Sequence, residues 1–393
     1  MLKIDDWKSL EPVDILFVVH DGHRTYRHKD KAYSPLIDSL QETYLKNGYS
    51  CLTIAPPFSQ LTRNQAFGKV IDFNGSFLRA ATRRILRNII SKEKLLGTLY
   101  IQDVWKKILA ATNPRQVIAI QPGAALCSAC RARGIEISDL QHGVINDGHA
   151  WYGEAYRRNC EDEVLPTSFM CWDNTALATL GKWTGQKGIR VDLIKNPWTQ
   201  RFLDIDPSDD LVSNARGNHS WLLRLPTMKR ILITLAWGWD EITDNSLSRM
   251  YRMAVTMPQF LSFPTSITDV IRETHNTTVW FIRPHPIQLQ GIERKPLENF
   301  LSKHFDHLSH VYWREVSSTP LAILLASTDL HITTGSTVTS EAALLGIRTG
   351  LIVPIPRPLE YLDSYFELER QNDMAEFVPN STEKLRQFVE DKL

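Results

Sequence analysis

Long apolar runs are missing from this sequence. Nothing in it approaches the roughly 18 consecutive apolar residues that a membrane-crossing helix needs. The opening Met1-Leu2-Lys3-Ile4-Asp5-Asp6-Trp7 has carboxylates where an export signal needs a basic stretch followed by an apolar one. The expectation is a cytoplasmic chain. An excess of one charge is missing too: 45 Lys and Arg stand against 44 Asp and Glu. The whole-molecule field therefore gives no reason to expect nucleic acid as a partner, and any anion site must be local. Cysteine is scarce, at Cys51, Cys127, Cys130, Cys160 and Cys171, without the spacing of a disulfide framework. Cys127 and Cys130 form the one CxxC, and no second pair follows at zinc-ribbon distance. They read as structural thiols, a metal or redox role being the alternative. Low-complexity tracts and internal repeats are absent as well.

What is present is a globular composition, 43% hydrophobic and 23% charged over 393 residues, which is too long for one ordinary core and fits two domains. The first half alternates short apolar runs with helical patterns, the signature of βα units building a parallel sheet. Strands are expected at 14–20, 51–55, 116–120, 137–141, 168–172 and 191–194, and helices at 35–47, 77–90 and 124–133. Residues 199–228 break the rhythm with turn-forming Asp206-Pro207-Ser208-Asp209-Asp210 and no sustained periodicity. The organisation expected is an N-terminal domain over 1–198, a connection over 199–228 and a C-terminal domain over 229–393. In the last of these, strands are expected at 230–235, 279–283, 311–313, 330–333 and 351–354, with helices at 246–257, 268–274, 320–326 and 339–345.

Two segments of the C-terminal half carry phosphate-binding chemistry. Thr278 to Ile282 reads as a buried strand and ends in Arg283-Pro284-His285-Pro286; ligands of open α/β sheets bind at such strand ends. The prolines fix the backbone, so a guanidinium and an imidazole project from a rigid turn. The alternative is a surface turn with incidental charges. Asp329 to Thr333 is a second strand, running into Thr334-Gly335-Ser336-Thr337 and then a helix containing Glu341. Gly335 permits close backbone approach, Ser336 and Thr337 offer hydroxyls, and the helix start offers N–H groups. Glu341 could bind ribose hydroxyls or merely compensate the helix dipole.

The run Thr333-Thr334-Gly335-Ser336-Thr337-Val338-Thr339-Ser340-Glu341-Ala342-Ala343-Leu344-Leu345-Gly346 resembles the nucleotide-binding segment of GT-B glycosyltransferases and the related sugar-nucleotide epimerases. Paired with Arg283-Pro284-His285-Pro286, it resembles the His-Pro and Ser/Thr motifs of bacterial sialyltransferases, capsule-type Kdo transferases and CDP-glycerol glycerophosphotransferases. The resemblance implies an α/β GT-B fold, two Rossmann-like domains facing each other across a cleft. It also implies a CMP- or CDP-carrying donor with its phosphate on His285, Ser336 and Thr337, beside which Arg283 and Gly335 are donor-binding candidates from the residues themselves. No cofactor is expected beyond the nucleotide-sugar donor, which is a substrate.

On the N-terminal side a strand ends in Gln141-His142-Gly143, followed by a polar loop through His149. His142 resembles the His-Gly histidine that polyol-phosphate transferases use as catalytic base, and a near-neutral imidazole suits taking a proton from an acceptor hydroxyl. A structural, hydrogen-bonded histidine is the other reading. The loop His20-Asp21-Gly22-His23-Arg24 follows the first strand and would border the acceptor side with His149. Its atoms would also suit a metal, but no metal is expected in this fold family. Trp237-Gly238-Trp239-Asp240-Glu241 offers Asp240 as base or nucleophile, or as a helix N-cap. Between Leu78 and Ile90, Leu78, Ala81, Ile85 and Ile89 form one stripe with arginines mainly elsewhere. Such a helix suits an anionic membrane surface or an ordinary solvated face.

The function expected is transfer of a sugar, Kdo or another CMP-activated one, to a bacterial surface polysaccharide or lipid-linked glycan. His142, Asp240 and His285 are its catalytic candidates, and the inner face of the cytoplasmic membrane is a fitting place for it. A glycerol- or ribitol-phosphate transferase using a CDP-polyol and a sugar-nucleotide epimerase are the alternatives.

Overall fold

The computed structural model describes residues 5–57, 59, 65–90, 96–147, 149–204, 206–235, 264–289, 294–352 and 366–391. The expected helix at 246–257 and the segment Trp237 to Glu241, with Asp240, lie outside the described residues. The chain divides into two compact units, Met1–Arg201 and Phe202–Leu393.

The first unit is built on seven parallel strands. Those of the sheet are β1 (Ile15–Val18), β4 (Cys51–Ile54), β5 (Val70–Ile71), β6 (Gln116–Ala119), β7 (Glu136–Leu140), β8 (Ser168–Cys171) and β9 (Arg190–Leu193), in the order β5-β4-β1-β6-β7-β8-β9. The remaining two, β2 (Tyr26–His28) and β3 (Lys31–Tyr33), pair as an antiparallel hairpin. Alternation along β1 sends Leu16 and Val18 into one core cluster and Ile15 and Phe17 into another. Both faces of the sheet are thus buried, as a parallel sheet requires. Helix α1 (Ile37–Lys46) contributes Ile37 and Leu40 to the second cluster. Helices α2 (Asn74–Ile90), α3 (Leu96–Thr112) and α4 (Ala124–Arg131) cover the first with Phe77, Trp105 and Leu126. Burying a side chain of this size contributes about 1.5–3 kcal/mol.

The second unit has six strands, all parallel: β10 (Lys229–Thr234), β11 (Thr278–Arg283), β12 (Val311–Tyr312), β13 (Leu330–Thr333), β14 (Thr349–Ile352) and β15 (Ala375–Val378), in the order β12-β11-β10-β13-β14-β15. Ile231 and Ile233 face one core cluster and Leu232 the other. Both units therefore reverse their strand order beside the first strand, between β1 and β6 and between β10 and β13. In doubly wound sheets a ligand crevice opens at that reversal, outside the carboxyl ends of the strands.

Three features depart from the sequence reading. Residues 199–228, expected as a connection without sustained periodicity, contain a helix: Asp209 caps Asp210–Asn218 by accepting from the Leu211 and Val212 amides, and Leu222 is buried in the second unit's core. The second sheet gains β15, backed by the helix Thr382–Glu390 through Leu385, Phe388 and Val389. Among the described side chains of α2, Phe77 and Ala80 face the core, while Leu78 and Ile85 of the expected stripe are 57% and 53% exposed.

Candidate nucleotide and acceptor sites

In the second unit the register sets Thr234 beside Arg283 on one side and beside Thr333 on the other. Three carboxyl ends thus meet at the reversal point. Thr333 Oγ1 ties them together, donating to the Thr234 carbonyl at 2.8 Å and accepting from the Gly335 and Ser336 amides at 3.4 and 3.2 Å. Gly335 sits at φ +154°, a backbone state that side-chain-bearing residues rarely adopt. Ser336 Oγ accepts from the Val338 amide at 3.3 Å, which starts the helix Val338–Leu344. Thr334 Oγ1, in the same loop, is buried without a hydrogen-bond partner among the described residues.

On the neighbouring strand end, Arg283 Nη1 donates to the carbonyls of Val316 and Thr319 at 2.8 and 2.5 Å. The expected phosphate ligand thereby also closes the carboxyl end of the helix Arg314–Ser318. Burial lowers the guanidinium to about 10, and Glu341 opposes that shift. Glu341 is itself buried, in the first turn of the helix after the loop. The His285 amide donates to Gln288 Oε1 and the Gln288 amide donates back to the His285 carbonyl, both at 2.9 Å, which pins the Pro284-His285 turn. Burial first and Arg283 second push the His285 imidazole down to about 4, so it is neutral at neutral pH. Sequence reasoning passed over Gln288, although its place three residues after His285 suits a turn-closing amide.

The first unit gathers histidines at its own carboxyl edge. His20 follows β1, and its Nδ1 accepts from the Gly22 amide at 2.9 Å. The His23 ring lies 6.2 Å from that of His20 and 5.4 Å from that of His142, which follows β7. Gln141 fixes the His142-Gly143 turn. Its Nε2 donates to the Gly143 carbonyl at 3.0 Å and to Asp173 Oδ2 at 2.5 Å, and its Oε1 accepts from the Trp172 amide at 2.9 Å. His149 lies further along: its Nδ1 accepts from the Trp151 amide at 3.1 Å, and its ring sits 4.8 Å from Tyr152. Gly153 closes this loop, because a Cβ there would fall 2.0 Å from the Asp147 carbonyl oxygen.

Two buried carboxylates lie behind these loops, and sequence reasoning singled out neither. Asp139 accepts from the Gln121 amide at 2.9 Å and from Trp151 Nε1 at 3.3 Å, and burial pushes it up to about 7. Asp38 takes Arg24 out of the polar loop: Arg24 Nη1 meets Asp38 Oδ2 at 2.8 Å, with side chains 1% and 3% exposed. Arg24 is thus an interior residue and its neighbours His20, Asp21 and His23 form the edge. Among the described residues no group of three or more His, Cys, Asp or Glu is arranged to hold a metal ion. Burial raises the thiols of Cys127 and Cys130, Cys127 to about 12.

No protein-family model and no curated protein sequence matches this chain. Solved structures resemble it in three dimensions. One is UDP-GlcNAc 2-epimerase from Neisseria meningitidis bound to UDP-GlcNAc, with TM-score 0.53 and 14% identity over 95% of this chain and 89% of that one. The wall teichoic acid polymerase TagF gives TM-score 0.54 and 11% identity over 98% and 82%. The fold is GT-B. UDP-GlcNAc 2-epimerase from Methanocaldococcus jannaschii is similar to the same extent, with TM-score 0.52 and 13% identity over 96% and 91%. At these identities the likeness speaks for the fold of two Rossmann-like units, and the chemistry has to be argued from the residues.

Proposed function

We propose that this chain is a glycosyltransferase that moves a sugar from a nucleotide donor to a hydroxyl of a bacterial surface polysaccharide or lipid-linked glycan. The observation that carries the reading is the meeting of Thr234, Arg283 and Thr333 at the reversal point of a doubly wound sheet. From two of those strand ends leave a pinned, neutral imidazole and a hydroxyl-rich loop. The His285 ring and the Ser336 and Thr337 hydroxyls would donate to the donor phosphate, and Arg283 would add its charge from behind. The structurally similar proteins fit such a ligand: one epimerase is bound to UDP-GlcNAc, and a TagF variant was soaked with CDPG.

His142 serves as the base in this reading. Its lone pair takes the acceptor hydroxyl proton as the new oxygen–carbon bond forms, and the nucleotide leaves with the bonding electrons of the old one. Asp240 is the second acid–base candidate. A CMP-activated sugar such as Kdo is the donor that the sequence resemblance favours. The chain works, on this reading, at the inner face of the cytoplasmic membrane, where lipid-linked acceptors are presented; among the described residues no helix is long and apolar enough to cross a membrane.

The likeness to TagF favours a second reading, transfer of a polyol phosphate from a CDP-polyol. Product analysis separates the two. Incubation with CMP-sugar, UDP-sugar and CDP-glycerol donors and an oligosaccharide acceptor should add a sugar and no phosphorus to the acceptor. Phosphorus in the product establishes the second reading, and an epimerised donor without transfer overturns both.

A further inference from the structure

Among the described side chains of helix α2, apolar residues stand on two flanks, and the fold uses one of them. Phe77 and Ala80 enter the core, where Phe77 packs against Trp105 of α3 with ring centres 5.1 Å apart. On the other side Leu78 and Ile85, two helical turns apart, are 57% and 53% exposed. Their exposure adds nothing to the unit's own stability. Arg79 and Arg83 lie about 100–160° further round the helix from that pair, toward α3. A groove of about 970 Å³ between α2 and α3 brings Lys106 and Lys107 alongside, with Trp7 and Tyr100 in its walls. Asp103 is the one carboxylate in its lining. Asp5 pairs with Arg79 at 2.6 Å and Asp103 lies 3.9 Å from Lys106, while Arg83 and Lys107 have no carboxylate at ion-pair distance among the described residues.

We propose that this face of α2 and α3 docks the chain on an anionic lipid bilayer. Leu78 and Ile85 enter the boundary between headgroups and acyl chains. Arg79, Arg83, Lys106 and Lys107 meet the lipid phosphates on the α3 side of that pair, their methylene stems lying along the apolar layer. The charge excludes the simplest rival occupant: a two-fold contact with a second copy would set this basic face against itself. A nucleic acid would use the cations but leave the apolar stripe exposed. The proposal takes from the proposed function only the location of a lipid-linked acceptor, and the docking itself needs no turnover.

The full chain is sedimented with vesicles of phosphatidylcholine alone and of phosphatidylcholine with phosphatidylglycerol. It should bind the second and not the first, and release as salt rises. Arg83→Glu with Lys107→Glu should weaken binding roughly tenfold or more. Leu78→Ser with Ile85→Ser should weaken it to a similar degree, and both pairs should keep the wild-type circular dichroism and melting temperature. Equal binding to both vesicles, binding that neither pair of substitutions weakens, or no binding would overturn the proposal. So would a concentration-dependent dimer that Leu78→Ser with Ile85→Ser abolishes. Nucleotide affinity is read on the same proteins and should be unchanged by the substitutions: a wild-type chain that binds nucleotide but no vesicle rejects the docking face alone, and one that binds anionic vesicles but no nucleotide rejects the transferase reading alone.

Discussion

The imidazoles of His23 and His142 lie 5.4 Å apart between ring centres, on loops that leave β1 and β7, and the Nδ1 of each is buried without a hydrogen-bond partner among the described residues. Burial is the main cause that lowers both to about 4; the neighbouring His142 and then His20 add to it at His23, and His149 adds to it at His142. Both rings are consequently neutral at neutral pH, and His142 is a weaker base than the near-neutral imidazole expected of it from the sequence. Buried imidazoles without partners cost stability unless a ligand uses them. That is the physical case for an acceptor site at this edge.

Stability should fall on mild acidification. His23, His142 and His285 have folded values of about 4, below the roughly 6.5 of an unfolded histidine. Between those values the unfolded chain binds more protons, so stability rises with pH across the window. The contribution of these three rings is complete above about pH 6.5 and is lost as pH drops toward 4, and the raised carboxyls of Asp139 and Asp38 offset part of it. Urea midpoints measured at about pH 7, 6 and 5 should decrease in that order, and a flat profile would show that these rings are not held neutral.

Replacing His142 should damage turnover more than binding. His142→Gln keeps a side chain of similar size but no proton acceptor of comparable basicity. The rate should drop by about 10²–10⁴-fold with donor affinity nearly unchanged. Steady-state kinetics with the donor varied check this, and a rise in KM at constant kcat would make His142 a binding residue instead.

Arg24 should prove to be an anchor of the fold. Arg24→Ala leaves the Asp38 carboxylate buried beside a lost partner, where burial already outweighs Arg24 and holds it up at about 6. Denaturant unfolding should show a loss of about 3–5 kcal/mol, and the double variant Arg24→Met with Asp38→Leu should recover much of it.

The strands were legible because both faces of each sheet are buried, so runs such as Leu330 to Thr333 and Val279 to Ile282 stand out as apolar blocks. The hairpin of β2 and β3 was not. Its turn residues Lys29 and Asp30 adopt φ of +50° and +59° without the glycine or asparagine that usually signals such a turn. β15 carries Glu376 in a run of four residues, too short and mixed to be recognised. At the sites, the polar strand ends could be read from composition. Which of them meet depends on register, and the sequence does not display the pairing of Thr234 with both Arg283 and Thr333. Nor could the loop around His20 reveal that Arg24 turns inward, since its partner Asp38 lies on α1.

Arg283 caps a helix of the fold and, on the proposed function, also serves the donor phosphate, and a conservative change should separate the two. Arg283→Lys keeps a charge but has a shorter reach than the guanidinium, whose Nη1 alone donates to both the Val316 and Thr319 carbonyls. A stability loss of about 1–2 kcal/mol is expected from the weakened hydrogen bonds, together with weaker nucleotide binding. Thermal melting with and without nucleotide measures both: full stability in the free chain would contradict the capping role.

Calorimetric titration of the chain with CMP, CDP, UDP and GDP, repeated on His285→Ala, tests the nucleotide site most directly. The wild type should bind at least one pyrimidine nucleotide, and His285→Ala should bind it roughly tenfold more weakly or worse, the loss of one charge-assisted hydrogen bond. No binding of any nucleotide, or binding that the loss of His285 leaves unchanged, would contradict the assignment of the donor to the second unit.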